Sequence, residues 1–158
     1  MSGILKSIDQ ISKEDILNAK DKIFGIVVSE WNSEITDALL NGAIEGLESA
    51  QIPKNQIVTK YVPGTFELPF GAKKLLEKQH VDAVICLGCV IQGETKHFDF
   101  ICQAAAHGIM DLGLSSGIPV IFGVLTTNDL QQAKERSGGK YGNKGTEAAI
   151  TALKLATY

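Results

Sequence analysis

Apolar and polar positions along the chain fall into blocks that predict four β-strands separated by helices. The apolar runs of strand length are residues 23–29, 56–62, 83–91 and 120–126. Between these runs, apolar residues recur every three or four positions, which is the spacing of one helix face. Strands that alternate with helices are joined by right-handed crossovers and form a parallel sheet. Because the predicted strands are almost continuously apolar, we expect helices to cover both faces of the sheet.

Capping residues, prolines and glycines bound the predicted helices. The first helix starts at Asn32 or Ser33 and ends before Pro53, and the second runs from near Phe66 or Glu67 to about Gln79. The third spans about 97–115, the fourth runs from a cap at Asn128 or Asp129 to Arg136, and the last spans about 144–156. These elements predict an α/β fold, a three-layer α/β/α sandwich with a four-stranded parallel sheet and flavodoxin-like topology. We expect one domain over residues 1–158, in which residues 1–21 form an irregular N-terminal arm.

The composition is typical of a soluble globular protein and argues against nucleic-acid and membrane partners. The chain has 158 residues, 44% of them apolar and 21% charged, and its formal net charge is −3. A mildly acidic chain lacks the basic surface that phosphate-backbone binding requires. No apolar run reaches the roughly 18–20 residues that cross a bilayer, and the first 22 residues contain no apolar signal core. We therefore expect a cytoplasmic location.

Three cysteines raise the question of a metal or redox site. Cys86 and Cys89 have the C-x-x-C spacing, and Cys102 is the third cysteine. An odd number without a secretion signal argues against a disulfide framework. Since Cys86 and Cys89 lie three residues apart on one predicted strand, their thiols would point to opposite faces of the sheet. We therefore favour small buried residues over a metal-binding or redox pair, and we predict no metal site.

Aromatic and polar side chains follow the carboxyl ends of the predicted strands, where ligands bind in open α/β sheets. Trp31 follows the first strand, Phe66 and Glu67 follow the second, and residues 92–97 follow the third. A tryptophan is usually a core residue, but Trp31 and Phe66 together could sandwich a flat heterocycle.

The loop after the third strand carries the most informative chemistry. Gly93, Thr95 and the free N–H groups of the next helix could form an anion site, because helix N-termini carry unpaired donors and partial positive charge. His97 lies in the first helical turn and could act as a general acid or base near neutral pH. The alternative is a surface histidine that caps or packs locally. His80 and His107 lack such a setting.

The glycine-rich run 137–146 invites comparison with a phosphate-binding P-loop, but it lacks the Walker spacing and does not directly follow a strand. Two interpretations stay open. The run is either a flexible loop or a mobile basic loop over a phosphate, to which Arg136 would make bidentate contacts.

Two other protein classes with this topology fit the strand ends poorly. A receiver domain needs an aspartate that closes the third strand, which ends here in Cys89, Val90 and Ile91. A flavodoxin needs a loop rich in Ser and Thr directly after the first strand, which residues 29–32 do not supply.

Five segments taken together are more specific than any one of these features. They are WNSEIT at residues 31–36, VPGTFELP at 62–69, GCVIQGETKHFD at 88–99, PVIFGVLT at 119–126 and GNKG at 142–145. In order and spacing, from about Phe24 to the C-terminus, the chain resembles the 6,7-dimethyl-8-ribityllumazine synthase family. The resemblance implies a transferase that condenses 5-amino-6-(D-ribitylamino)uracil with 3,4-dihydroxy-2-butanone 4-phosphate, releasing phosphate and water, in the penultimate step of riboflavin biosynthesis. It also implies that no metal and no organic cofactor takes part.

The resemblance further implies a role for each matched position. His97 matches the proton-transferring histidine, and Glu94, Thr95 and Arg136 match residues that hold the butanone phosphate. The positions that match contacts to the ribitylaminouracil are Trp31, Thr65, Phe66, Glu67, Cys89, Val90, Ile91, Phe122 and Lys144.

Three positions depart from the usual pattern of the family. Trp31 stands where the family usually has Phe, Thr65 stands where it often has a smaller residue, and Tyr141 stands where many members have Ala. None of these departures removes a catalytic group.

The resemblance also implies an assembly of identical subunits. Family members form pentamers, and many bacterial members assemble twelve pentamers into an icosahedral shell of 60 subunits. Phe122, Arg136 and Lys144 would then come from a neighbouring subunit. The compact stretch 136–144, which has no insertion, favours the 60-subunit shell. Riboflavin synthase is the partner that such a shell could enclose.

Two other functions compete with the synthase. One is a flavin- or lumazine-binding protein that kept the fold without the catalysis, and the other is a shell with a compartment or storage role. The presence of both His97 and Arg136 favours the enzyme, because a pure flavin binder does not need a phosphate-elimination site.

Overall fold

The central sheet consists of four parallel strands: β1 (Phe24–Ser29), β2 (Ile57–Val62), β3 (Ala83–Ile91) and β4 (Val120–Thr127). The structure is a computed structural model, and it describes residues 11–158. The strands lie in the order β2-β1-β3-β4, and each neighbouring pair is parallel. The four-stranded parallel sheet is confirmed, and its strand boundaries lie within one residue of the predicted ones.

Helices cover both faces of the sheet and confirm the three-layer sandwich. They are α1 (Lys13–Ala19), α2 (Ser33–Ser49), α3 (Leu68–Lys78), α4 (His97–Ser116), α5 (Leu130–Arg136) and α6 (Lys144–Ala156). The helices α1, α2, α5 and α6 lie on one face, and α3 and α4 lie on the other. No helix in the described part of the chain combines the length and the apolar character that crossing a membrane requires.

Burial explains why the apolar runs form strands. All six residues of β1 are buried. Ile26 and Val28 belong to the apolar cluster beneath α2 and α6, whereas Val27 belongs to the cluster beneath α3 and α4. Burying one such side chain contributes about 1.5–3 kcal/mol, so a continuous apolar run favours a central strand. At the sheet edge, β2 leaves Lys60 and Tyr61 exposed.

The predicted irregular arm is wrong for residues 13–19, which form α1. A capping box starts this helix: the Asp15 N–H donates to Ser12 Oγ over 3.0 Å, and the Ser12 N–H donates to Asp15 Oδ2 over 3.4 Å. Ile11 and Ala19 join the apolar cluster beneath α2 and α6. A seven-residue helix is too short for a clear apolar period. Residues 1–10 of the predicted arm lie outside the described residues.

The glycine-rich run after α5, predicted as a loop, forms a hairpin over residues 137–143, and its residues 144–146 begin α6. Its strands are β5 (Ser137–Gly139) and β6 (Gly142–Asn143), and they pair antiparallel. Gly138 and Gly142 have φ angles of 125° and 76°, a region that side chains with a Cβ rarely adopt. The glycines therefore permit a tight turn between α5 and α6.

Candidate active site

The chain leaves β1 beside the end of β2, and this brings Trp31 to the carboxyl edge of the sheet. The Glu30 N–H donates to the Val62 carbonyl over 2.9 Å, and the Trp31 N–H donates to the Pro63 carbonyl over 3.1 Å. Trp31 is 71% exposed and Phe66 is 54% exposed. Two large aromatic surfaces at this edge are therefore available to a ligand.

Gly64 lets Trp31 and Glu67 approach each other. A Cβ at Gly64 would lie 2.9 Å from Glu67 Oε2 and 3.6 Å from Trp31 Cε3. The carboxylate and the indole thus flank the same backbone position. The structure brings together two of the residues that the sequence assigns to the ribitylaminouracil.

Thr65 and the end of β3 complete this edge. Thr65 is 5% exposed, and its Oγ1 would lie 2.7 Å from a Cβ at Gly88. Cys89 is buried, while Val90 and Ile91 are half-buried. We call residues 31, 64–67 and 88–91 the aromatic edge.

Asn32 fixes the aromatic edge from the start of α2, a role that the sequence did not suggest. Its backbone is left-handed, with φ 61° and ψ 44°, and its side chain makes no helix-capping hydrogen bond. Instead, Nδ2 donates to the Cys89 carbonyl over 2.9 Å. The left-handed tendency of asparagine is the only signal that could have indicated this conformation.

The loop from β3 to α4 is open to solvent. Residues 92–97 are all exposed, and the Gln92 N–H donates to the Thr127 carbonyl over 2.8 Å. Lys96 precedes α4 without a side-chain cap, and the His97 N–H makes only a long 3.4 Å contact to Thr95 Oγ1. The first turn of this 20-residue helix therefore has donors available to an anion. The exposed start of α4 is the place at which the sequence predicts an anion site.

A second group of predicted site residues lies along β4. Within residues 11–158, β4 pairs with β3 on one side and with no strand on the other. A groove of about 1260 Å³ follows this free edge between α4 and α6. Its lining includes Phe122, Arg136, Tyr141, Lys144 and Glu147, and we call it the β4 groove.

The two basic residues of the β4 groove have different partners. Arg136 Nη1 donates to the Gln132 carbonyl over 3.0 Å, and its guanidinium lies 4.8 Å from the centre of the Tyr141 ring. Lys144 Nζ lies 2.6 Å from Glu147 Oε2. Within residues 11–158, Arg136 has no carboxylate partner, whereas the charge of Lys144 is paired with that of Glu147.

The predicted site residues thus divide into two groups within one chain. The aromatic edge and the start of α4 hold most of them, and Trp31, Thr65 and His97 are absent from the lining of the β4 groove. Phe122, Arg136 and Lys144 belong to that groove.

The comparison with known proteins decides the family. The sequence model of 6,7-dimethyl-8-ribityllumazine synthase matches residues 21–158. The chain belongs to this family. A relative from Flavobacterium johnsoniae with that name is 59% identical over 96% of this chain and 80% of the relative. A relative of the same name from Cytophaga hutchinsonii is 58% identical over 98% of this chain and 97% of the relative. Another from Parabacteroides distasonis is 47% identical over 100% of this chain and 99% of the relative.

Asn143 is a second positioning residue that the sequence did not indicate in this member of the lumazine synthase family. Its Nδ2 donates to the Ala38 carbonyl over 2.8 Å and to the Ser137 carbonyl over 3.3 Å. Its Oδ1 accepts the Gly145 N–H over 2.8 Å and caps α6. One side chain therefore ties α2 to the hairpin that separates Arg136 from Lys144.

The C-x-x-C cysteines lie on opposite faces of β3, as predicted. Cys86 belongs to the cluster beneath α3 and α4, and Cys89 belongs to the cluster beneath α2 and α6. Both are free thiols. Among the described residues, no group of three or more His, Cys, Asp or Glu side chains could hold a metal ion.

We expect Cys86 and Cys89 to resist alkylation by iodoacetamide at pH 8 in the folded protein. Burial raises the pKa of Cys86 to about 12 and that of Cys89 to about 11. Because a raised pKa leaves the unreactive thiol dominant, about one Cys89 side chain in 10³ is a thiolate at pH 8. Mass spectrometry with and without guanidinium checks this, with half-buried Cys102 as the comparison within the chain. Modification of Cys86 and Cys89 at equal rates in the two conditions would contradict the buried placement.

Proposed function

We propose that this protein condenses 5-amino-6-(D-ribitylamino)uracil with 3,4-dihydroxy-2-butanone 4-phosphate to form 6,7-dimethyl-8-ribityllumazine, as a transferase of riboflavin biosynthesis. The observation that carries the proposal is an exposed aromatic edge on the same side of the sheet as the uncapped start of α4, where His97 lies. The aromatic edge offers a stacking surface for a flat heterocycle, and the start of α4 offers hydrogen-bond donors to a phosphate. The names of the relatives support the same reaction.

The aromatic edge suits the ribitylaminouracil. Trp31 and Phe66 present the exposed rings on which the pyrimidine would stack. Glu67 beside Gly64 supplies a carboxylate that can accept hydrogen bonds from the ribityl hydroxyls. Thr65 would contact the ribityl chain of the substrate, and the backbone of Cys89, Val90 and Ile91 would form hydrogen bonds with the edge of the pyrimidine.

The butanone phosphate requires fixed donors and a positive charge. The exposed backbone of Glu94 and Thr95, with the Thr95 hydroxyl, would bind phosphate oxygens at the start of α4. Arg136 would add a bidentate contact. A leaving phosphate is stabilised by donors that are already oriented before the bond breaks.

The chemistry then needs alignment and proton transfer. The 5-amino group attacks the ketone, and loss of water gives an imine. The carbon–oxygen bond to phosphate then breaks as a proton leaves the neighbouring carbon that bears the hydroxyl, which gives an enol. The enol takes up a proton at its terminal carbon and becomes a ketone, and the ribitylamino nitrogen closes the ring onto this new carbonyl with loss of a second water. Proximity of two aligned reactants can contribute about 7–11 kcal/mol in ideal cases. His97 would move protons between these steps, and no metal or organic cofactor is needed for them.

A complete site would combine two copies of the chain. Phe122, Arg136 and Lys144 line the β4 groove, whose lining includes none of Trp31, Thr65 and His97. We therefore propose that a neighbouring subunit supplies these three residues in a homo-oligomer, a pentamer. We also propose a cytoplasmic location.

We further propose that twelve pentamers form an icosahedral shell of 60 subunits. The connection between α5 and α6 is a minimal hairpin and adds no bulk at this position. Light scattering at neutral pH should therefore detect a particle about twelve times the mass of a pentamer. A particle of pentamer size alone would refute the shell. Co-expression with riboflavin synthase, followed by sizing of the particle, would test whether the shell encloses that enzyme.

Turnover is the direct test of the proposed function. Purified protein is mixed with both substrates, and the lumazine chromophore is followed against the uncatalysed reaction. Product well above the uncatalysed rate supports the synthase. An intact oligomer that binds lumazine without accelerating the reaction would favour a binding protein.

A further inference from the structure

Tyr141 lies at the turn of the β5–β6 hairpin. Its N–H donates to the Glu135 carbonyl over 2.8 Å, which ties the turn to α5. The side chain is 44% exposed and lines the β4 groove beside Arg136. A large aromatic residue is thus held at the groove by its backbone, with part of its ring free.

Two cationic side chains lie close to the ring of Tyr141. The guanidinium of Arg136 lies 4.8 Å from its centre, and Lys140 Nζ lies 5.2 Å from it. Both distances fall within the range of about 6 Å in which a cation is attracted to an aromatic face. The hydrogen bond from Arg136 Nη1 to Gln132 holds the other part of the guanidinium. Arg136 is therefore restrained by two independent contacts.

This restraint leaves the charge of Arg136 available. A guanidinium has five N–H donors, and only one is used in the contact to Gln132. An aromatic ring carries no net charge, so it orients the cation without neutralising it. Lys144 shows the contrast, because its ammonium is paired with the Glu147 carboxylate.

We propose that Tyr141 is a positioning residue that presents Arg136 to the phosphate of the butanone substrate. The inference rests on the proposed function. Holding the guanidinium before the substrate arrives reduces the side-chain entropy that binding must remove. Tyr141 therefore affects the binding of the phosphate substrate and leaves the binding of the ribitylaminouracil unchanged.

The test compares Tyr141→Phe, Tyr141→Leu and Tyr141→Ala in the oligomeric enzyme, with Tyr158→Ala as a control at the fully exposed C-terminal tyrosine. The readouts are KM for each substrate, kcat and inhibition by inorganic phosphate. We expect Tyr141→Ala and Tyr141→Leu to raise KM for the butanone phosphate and the inhibition constant for phosphate about twofold to fivefold, the range for an exposed cation–π contact. Tyr141→Phe and Tyr158→Ala should match the parent protein.

A double variant separates positioning from general stability. In the Arg136→Ala background, Tyr141→Ala should have no further effect on KM for the butanone phosphate, because the residue that it orients is gone. Equal increases in KM for both substrates, an additive effect in the double variant, or a loss in Tyr141→Phe equal to that in Tyr141→Ala would overturn the proposal. An unchanged KM in Arg136→Ala alone would instead refute the phosphate-binding role of Arg136.

Discussion

Replacing His97 by alanine is expected to lower kcat by about 10²-fold, the lower end of the range for one proton-transferring side chain. Binding of the ribitylaminouracil should survive, because the proposed stacking surfaces are those of Trp31 and Phe66. His97 begins α4 and its side chain is exposed, so the substitution removes no core contact. Turnover at saturating substrate and equilibrium binding of the ribitylaminouracil are the two measurements.

The matched control for this variant is His107→Ala. His107 lies on the same helix and is also exposed, but it is ten residues away from the open loop. It should retain the kcat of the parent protein, and light scattering checks that the variant particle has the size of the parent particle. If His97→Ala loses binding to the same extent as rate, the proton-transfer role is wrong and His97 is a binding contact.

The long strands and helices could be predicted from the sequence, because burial and clear boundary residues constrain them. The strand β3 and the helix α6 have the predicted boundaries, because the polar residues Asp82 and Gln92 flank β3 and Asn143 caps the start of α6. The strand β1 is buried on both faces, so its apolar run is continuous. Burial on both faces is a strong constraint on sequence.

Short elements were missed because local contacts define them. The helix α1 has seven residues, and its start depends on the reciprocal bonds of Ser12 and Asp15. The hairpin that precedes α6 depends on positive φ at Gly138 and Gly142. Neither feature produces a periodic pattern of apolar residues.

The sequence was enough to predict which strand ends hold the candidate site, but not which side chains contact one another there. The rule that ligands bind beyond the carboxyl ends of parallel strands places Trp31 and His97 on one side of the sheet. Side-chain partners required the structure: Asn32 bonds to the Cys89 carbonyl, and the Tyr141 ring faces Arg136. Both contacts depend on backbone geometry that neither residue type determines alone.

The placement of Arg136 leads to the second large effect. Arg136→Ala is expected to raise KM for the butanone phosphate by about 10- to 100-fold, because a hydrogen bond to a charged group contributes about 1.5–3 kcal/mol. KM for the ribitylaminouracil should stay within about twofold of the parent value, because that substrate carries no phosphate for the guanidinium to bind. Steady-state kinetics with each substrate varied in turn measures both constants.

Two further variants show whether charge alone explains the effect. Arg136→Lys keeps the charge but loses the planar fork, so it should recover only part of the lost affinity. Lys134 lies on α5, as Arg136 does, and it pairs with the exposed Glu34. Lys134→Ala should therefore leave both KM values unchanged. If Lys134→Ala raised KM for the butanone phosphate as much as Arg136→Ala does, the effect would come from the overall positive charge of α5. A specific loss in Arg136→Ala, with partial recovery in Arg136→Lys, requires a phosphate that meets the guanidinium directly. Since that guanidinium lies in the β4 groove, the same result would place the phosphate at this groove.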